Sequence, residues 1–132
     1  MSDLSGLPRR SVQVLAALGA ACGLVLGLRW RRVVVHGASM TPTLQPDDRL
    51  LLLRAGRPRP GQLVAVRDPR VQGRLLVKRV SEVDHRSGLV TVVGDNPGAS
   101  TDSRVFGPVP RRAVVGRVVY RYAPAGRTGR VR

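Results

Sequence analysis

Lys78 is the only lysine among the 23 Lys and Arg residues of the chain. Every other basic position is an arginine, whose guanidinium stays charged inside proteins, whereas a lysine amine loses its proton when buried. An arginine-biased composition explains the arginines but not the exception. A site that needs an amine as a base has to keep lysine there. The text Leu75-Leu76-Val77-Lys78-Arg79-Val80 reads as a strand, with Lys78 on the face of Leu76 and Val80 and Arg79 on the other. If that face is the inner one, desolvation lowers the amine's pKa from about 10.4 and lets it take a proton from a hydroxyl. A strand-edge lysine reaching out to water is the alternative that this residue alone leaves open.

The hydroxyl to match it is Ser39, in Gly37-Ala38-Ser39-Met40-Thr41-Pro42-Thr43-Leu44. Small neighbours before the serine let a substrate backbone approach, and Pro42 fixes the turn that follows. Taken alone, a serine in a glycine-containing loop is more often a turn residue than a nucleophile. Histidine offers no better base. His36, three residues before Ser39 on an extended strand end, is not expected to face it, and His85 sits in the turn Asp84-His85-Arg86-Ser87-Gly88. A Ser-His-Asp triad is therefore the weaker enzyme model, and Ser-Lys is a variant of the same logic.

A third segment, Gly94 to Arg104, carries more hydrogen-bonding groups than a connection between strands requires. Asp102 and Arg104 have opposite charge and could pair to hold the loop. Ser100 or Ser103 could donate to a neutral amine. No CxxC or His/Cys cluster has metal-ligand spacing, and the single cysteine, Cys22, excludes an internal disulfide. The chemistry expected here needs no cofactor.

These residues must be positioned by one domain, since 132 residues suffice for a single core. From Val33 the chain shows short β-branched runs separated by Gly, Pro and Asp, which predicts a mainly β domain over residues 33–122. Strands are expected at Val33–His36, Arg49–Arg54, Leu63–Arg67, Leu75–Val83, Leu89–Val93 and Val114–Tyr122. Residues 123–132 lack periodicity and read as a flexible basic tail. Residues 1–10 form a polar N-terminal tail. Residues 11–28 are uncharged and closed by Arg29, Trp30, Arg31 and Arg32, so 11–29 reads as a single-pass transmembrane anchor helix in contact with membrane lipid. The flanking arginines lean towards a cytoplasmic C-terminal domain by a margin too small to fix the side.

The formal charge of +15 points to anionic partners. Nucleic acid is not expected, because the basic residues are scattered along the chain and aromatic residues for base stacking make up only 3%. An anionic membrane surface is the simpler partner for this charge.

Together the segments resemble the signature boxes of the type I signal peptidase family. They are Ser39-Met40-Thr41-Pro42-Thr43-Leu44, Lys78-Arg79-Val80, and Gly94-Asp95-Asn96 with Ser100-Thr101-Asp102-Ser103-Arg104-Val105-Phe106-Gly107. Their order and the preceding apolar run also match, and Arg59-Pro60-Gly61-Gln62-Leu63-Val64-Ala65-Val66 resembles a further strand box. The resemblance implies Ser39 as nucleophile, neutral Lys78 as general base and Ser100 orienting the amine. It also implies Asp102 with Arg104 as a supporting ion pair, Asp95 shaping the loop, Met40 and Pro42 supporting the nucleophile box, and the Ser39 N–H in an oxyanion hole. Some members carry a hydroxyl residue as second oxyanion donor where this chain has Gly37. Larger members insert a second β domain where only Arg79 to Val93 stand here, enough for one hairpin. The compact form and the Gly94 to Pro110 text are most similar to proteases that mature nickel-type superoxide dismutase.

The expected activity is that of a membrane-anchored serine endopeptidase removing an N-terminal leader from a precursor protein. A general type I signal peptidase of exported proteins is one alternative. A self-cleaving repressor-like protein is a weaker one, since no helix-turn-helix segment stands before the β domain. The non-enzyme alternative is a basic membrane-surface or nucleic-acid-binding module.

Overall fold

The computed structural model describes residues 13, 16–23, 29–54 and 56–132. Runs of Val and Leu broken by Pro, Gly and Asp give eight strands among these residues. They are β1 (Trp30–Val34), β2 (Arg49–Leu53), β3 (Leu63–Arg67), β4 (Leu75–Asp84), β5 (Leu89–Val93), β6 (Val109–Pro110), β7 (Val114–Ala123) and β8 (Gly129–Arg130). They form one antiparallel sheet in the order β1-β2-β7-β3-β4-β5-β6, with β8 added to β7. The mainly β fold follows the strand pattern of the sequence.

The centre of the sheet shows why it curls. Leu63, Val64, Ala65 and Val66 of β3 are all buried, although successive side chains of a strand point to opposite faces. Apolar side chains must therefore cover both faces. Leu63 and Ala65 join one cluster with Val35, Met40, Leu44, Leu50, Leu52, Val77 and Val118. Val64 and Val66 join another with Val80, Val90, Val92 and Val109. Each fully buried Leu or Val contributes about 1.5–3 kcal/mol relative to exposure. Register shifts between β2 and β7, β3 and β7, and β4 and β5 bend the strands around these clusters. On β4, Lys78 lies opposite Val64, and it alternates with Leu76 and Val80 on the face of the second cluster.

Two expectations change. The first strand begins at Trp30 rather than Val33, because Trp30, Arg31 and Arg32 pair with Leu53, Leu52 and Leu51 of β2. The basic flank assigned to an anchor is thus partly sheet. The tail is also not loose. Beyond Arg117, β3 no longer covers the edge of β7, and β8 takes that place by pairing Arg130 with Tyr120 and Gly129 with Arg121. The fully buried Asp48 accepts from Arg121 at 3.2 Å and from Arg127, and Val131 packs on the first cluster. Composition hides this clasp because Asp48 and Arg127 stand 79 residues apart. The predicted anchor over 11–29 lies largely outside the described residues. Residues 13, 16–23 and 29 are helical, and among the described residues no helix is long and apolar enough to cross a membrane.

The clasp makes a prediction. Asp48→Ala removes the acceptor of both arginines and of the Gln45 N–H and is expected to cost about 1–3 kcal/mol, seen as a lower urea midpoint with earliest amide exchange in β8. An unchanged midpoint and unchanged exchange would show that the C-terminal segment is held without this carboxylate.

Candidate active site

The loop carrying Ser39 is closed at its neck and pinned at its middle. Val35 N–H donates to Asp48 O at 2.8 Å and Asp47 N–H to Val35 O at 2.9 Å. Gly37 has a φ of 74°, a conformation that a residue with a Cβ avoids, and it turns the chain off the end of β1. Met40 and Leu44 sink into the first apolar cluster, and Leu44 N–H donates to Met40 O at 2.8 Å. Pro42 sits exposed at the loop tip, and Ser39 is left half-buried beside Met40. Neither its hydroxyl nor its N–H makes a hydrogen bond among the described residues.

A second loop, after β5, latches onto the first. Asn96 N–H donates to Ser39 O at 2.9 Å, and Asn96 Nδ2 donates to Ala38 O at 3.1 Å and Thr41 Oγ1 at 2.9 Å. Asp95 accepts from Thr43 Oγ1 at 2.6 Å and from both arms of Arg79 at 2.8 and 2.7 Å. The Arg79 guanidinium holds the Asp95 carboxyl below its ordinary pKa, against the raising effect of burial. Gly94 makes the close approach possible. A Cβ there would lie 2.6 Å from Ser39 O and collide with the Ser100 side chain.

The same loop carries the partners of Lys78. The lysine is 2% exposed, and its Nζ donates to Ser100 Oγ at 3.0 Å. Ser100 Oγ in turn donates to Asp102 Oδ2 at 2.7 Å. Since the hydroxyl has one proton and Asp102 receives it, Ser100 can only accept from the amine. The sequence left open donation from Ser100 or Ser103 to the amine. In the structure Ser103 Oγ instead accepts from Val92 N–H at 2.9 Å.

Asp102 is fully buried and saturated with donors. It accepts from Arg104 Nε and an Arg104 terminal nitrogen at 2.9 and 2.6 Å, from Gly94 N–H at 2.8 Å and from Arg104 N–H at 3.1 Å. Burial alone would raise its pKa. The Arg104 fork, the Gly94 amide and the Ser100 hydroxyl outweigh that and hold the carboxyl far below the usual range. Burial is also the largest influence on Lys78 and pushes its pKa down. The charge of Asp102 opposes this, and those of Arg104 and Arg70 reinforce it. An ammonium has three N–H donors, and among the described residues only one acceptor meets them, so the charged form is poorly satisfied.

Ser39 and Lys78 open into one cleft of about 390 Å³. One wall is formed by Val34 to Gly37 with Ser39 and Met40, the other by Arg74 to Lys78. His36, not expected to face the serine, lines this cleft too, because the turn at Gly37 bends the chain back. The structure thus gathers Ser39, Met40, Lys78, Asp95, Ser100, Asp102 and Arg104 on two loops, one strand and the short helix Ser103–Phe106, while Pro42 stays exposed on the serine loop. Sequence reasoning missed Asn96, Thr43 and the Arg79–Asp95 pair. The visible signal for the last was an arginine on the face of β4 opposite to Lys78, with an acid in the loop beyond β5. Among the described residues no group of three or more His, Cys, Asp or Glu is placed to hold a metal ion. What the arrangement offers is a hydroxyl-bearing residue and a desolvated amine that line one open, mostly apolar cleft.

Comparison with known proteins agrees with this geometry. A family model described as signal peptidase, peptidase S26, matches residues 9–84 and 81–123. The chain is 33% identical over 123 residues to the mitochondrial ATP-independent inner membrane protease subunit 1a of Arabidopsis thaliana, covering 74% of this chain and 73% of that protein. It is 31% identical over 120 residues to the mitochondrial inner membrane protease subunit 2 of Schizosaccharomyces pombe, covering 74% and 67%. A shorter stretch of 44 residues is 41% identical to a probable signal peptidase I-1 of Synechocystis, covering 33% and 22%. Because the family match runs through the serine loop, β4 and the loop after β5, the chain belongs to the signal peptidase family, peptidase S26.

Proposed function

We propose that this chain is a leader-removing serine endopeptidase in which Ser39 is the nucleophile and Lys78 the general base. The observation that carries the reading is the buried Lys78 amine, held by Ser100 and facing the same cleft as Ser39. Ser100 occupies one N–H of the amine, so the neutral form keeps its lone pair for the cleft. Ser39 Oγ attacks the scissile carbonyl carbon as its proton passes to Lys78 Nζ. The C–N bond then breaks, and Lys78 returns the proton to the leaving amine. Water attacks the resulting ester, Lys78 accepts its proton, and Ser39 Oγ is released with that proton restored. The Ser39 N–H, without an acceptor among the described residues, is available to the oxyanion, where one such donor is worth about 3 kcal/mol.

The substrate reading is an N-terminal leader on a precursor delivered at a membrane, with residues 11–29 as the anchor. The likeness of residues 94–110 to nickel-type superoxide dismutase maturation proteases supports such a dismutase precursor as the finer substrate. The match to a probable signal peptidase favours a second reading, a peptidase of many exported precursors. Sequencing precursor N-termini in cells carrying intact or Ser39→Ala protein separates them. One uncleaved precursor supports the first, many support the second, and none contradicts leader removal.

Three further outcomes are expected. Lys78→Arg and the less bulky Lys78→Met should each lower kcat/KM by about 10²–10⁴, with Lys78→Met keeping the thermal midpoint; normal turnover by either would remove Lys78 as the base. Since the neutral amine is the active form and burial lowers its pKa, kcat/KM should rise with pH along a limb centred below the ordinary lysine value of about 10.4. A pH-independent rate across that range would contradict the assignment. Gly94→Ala should cost far more in kcat than in KM, because the added Cβ displaces Ser100 and the Ser39 carbonyl together. Equal losses in both would place its effect elsewhere.

A further inference from the structure

Arginines that are scattered along the sequence are gathered by the fold. Arg54, Arg57, Arg67, Arg111, Arg112 and Arg117 line one cleft of about 500 Å³ that shares no lining residue with the Ser39 cleft. No acidic residue lines it, and among the described residues none of the six guanidiniums pairs with a carboxylate. The wall is braced, since an Arg67 terminal nitrogen donates to Arg112 O at 3.0 Å. Six like charges around a concavity repel one another and create a field that draws an anion in. Guanidinium forks match phosphate oxygens in particular.

Two observations choose among phosphate-bearing partners. The cleft contains no aromatic side chain, so it lacks the stacking platform of a single-strand nucleic-acid site. Its floor includes Val64 and Val114, an apolar surface that a free phosphate does not use. The cleft also lies beside the start of the first strand. Arg54 N–H donates to Arg29 O at 2.7 Å, and Trp30, 42% exposed, pairs with Leu53 at the start of β1. Residues 11–28 end one position before Arg29.

We propose that this cleft binds the phosphate headgroup of an anionic phospholipid where the chain enters the bilayer. The inference rests on the reading of residues 11–29 as an anchor, and its occupant sets the depth and tilt of the catalytic domain over the membrane.

Trp30 is the only tryptophan of the chain and reports directly on neighbouring lipid. The full chain is reconstituted in vesicles of phosphatidylcholine with a minority of phosphatidylglycerol, with bromine on the acyl chains of one lipid or the other. Per mole of brominated lipid, phosphatidylglycerol is expected to quench Trp30 severalfold more strongly. Arg57→Gln/Arg111→Gln/Arg112→Gln should lose that preference while total quenching and peptidase activity on a short peptide stay the same. Arg86→Gln/Arg130→Gln, outside the cleft, should keep it. Equal quenching by the two lipids, or a preference that survives the triple substitution, overturns the site and leaves the anchor standing. No quenching by either lipid overturns the anchor and its lipid occupant with it. If inorganic phosphate or a single-stranded oligonucleotide abolishes the preference beyond the effect of sodium chloride at equal ionic strength, the cleft takes that anion instead and the lipid assignment fails.

Discussion

The structure depends on keeping one amine dry without giving it a counter-ion of its own. Lys78 is buried on the face of the second apolar cluster and, among the described residues, makes a single hydrogen bond, to Ser100. The carboxylate nearest in the network, Asp102, is already engaged by the Arg104 fork, a backbone amide and the Ser100 hydroxyl. Its charge still opposes the fall in the Lys78 pKa, but burial dominates. Without the Arg104 charge, that of Asp102 would act on the lysine with less opposition and favour the ammonium form. Arg104 thus matters for what it denies the amine as well as for what it holds.

The proposed chemistry also requires a hydroxyl in the cleft of that amine, on a loop that follows the first strand. The chain fixes that loop by latching two loops together. Asn96 fastens the Ser39 loop through three hydrogen bonds, Asp95 ties it to Arg79 on β4, and Gly94 supplies the space in which Ser39 O and the Ser100 side chain meet. Lys78 and Arg79 are neighbours on one strand that point to opposite sides. One is the proposed base, and the other fixes the loop after β5 through Asp95. The curled sheet makes this division possible because both faces of β4 are covered.

Much of this was legible in the sequence. Strands β3 and β5 lie where the β-branched runs between turn residues place them, and a solitary lysine among arginines singles out Lys78. The Asp102–Arg104 pair was readable because its members stand two positions apart. The unread parts depend on distant partners. The clasp of Asp48 with Arg121 and Arg127, and the attachment of Asn96 to Ala38 and Thr41, join residues more than fifty positions apart. Local pattern carries no record of such pairs. That His36 lines the cleft of Ser39 depends on the turn at Gly37, and the arginine cleft was invisible because its members come from three separate stretches of chain.

Membership in the S26 signal peptidase family gives the chemistry its class, and the buried amine gives it a physical basis. Because the chain contains a single lysine, lysine labelled with ¹³C at Cε yields one side-chain resonance whose shift reports the protonation of Nζ. Titrating the full-length protein should give a midpoint well below that of an ordinary lysine, which lies near 10.4. The shift should return to the ordinary range when the chain is unfolded in urea. A folded-state midpoint at or above the ordinary value would mean that the amine stays charged where catalysis needs it neutral, and the Ser39–Lys78 assignment would be wrong.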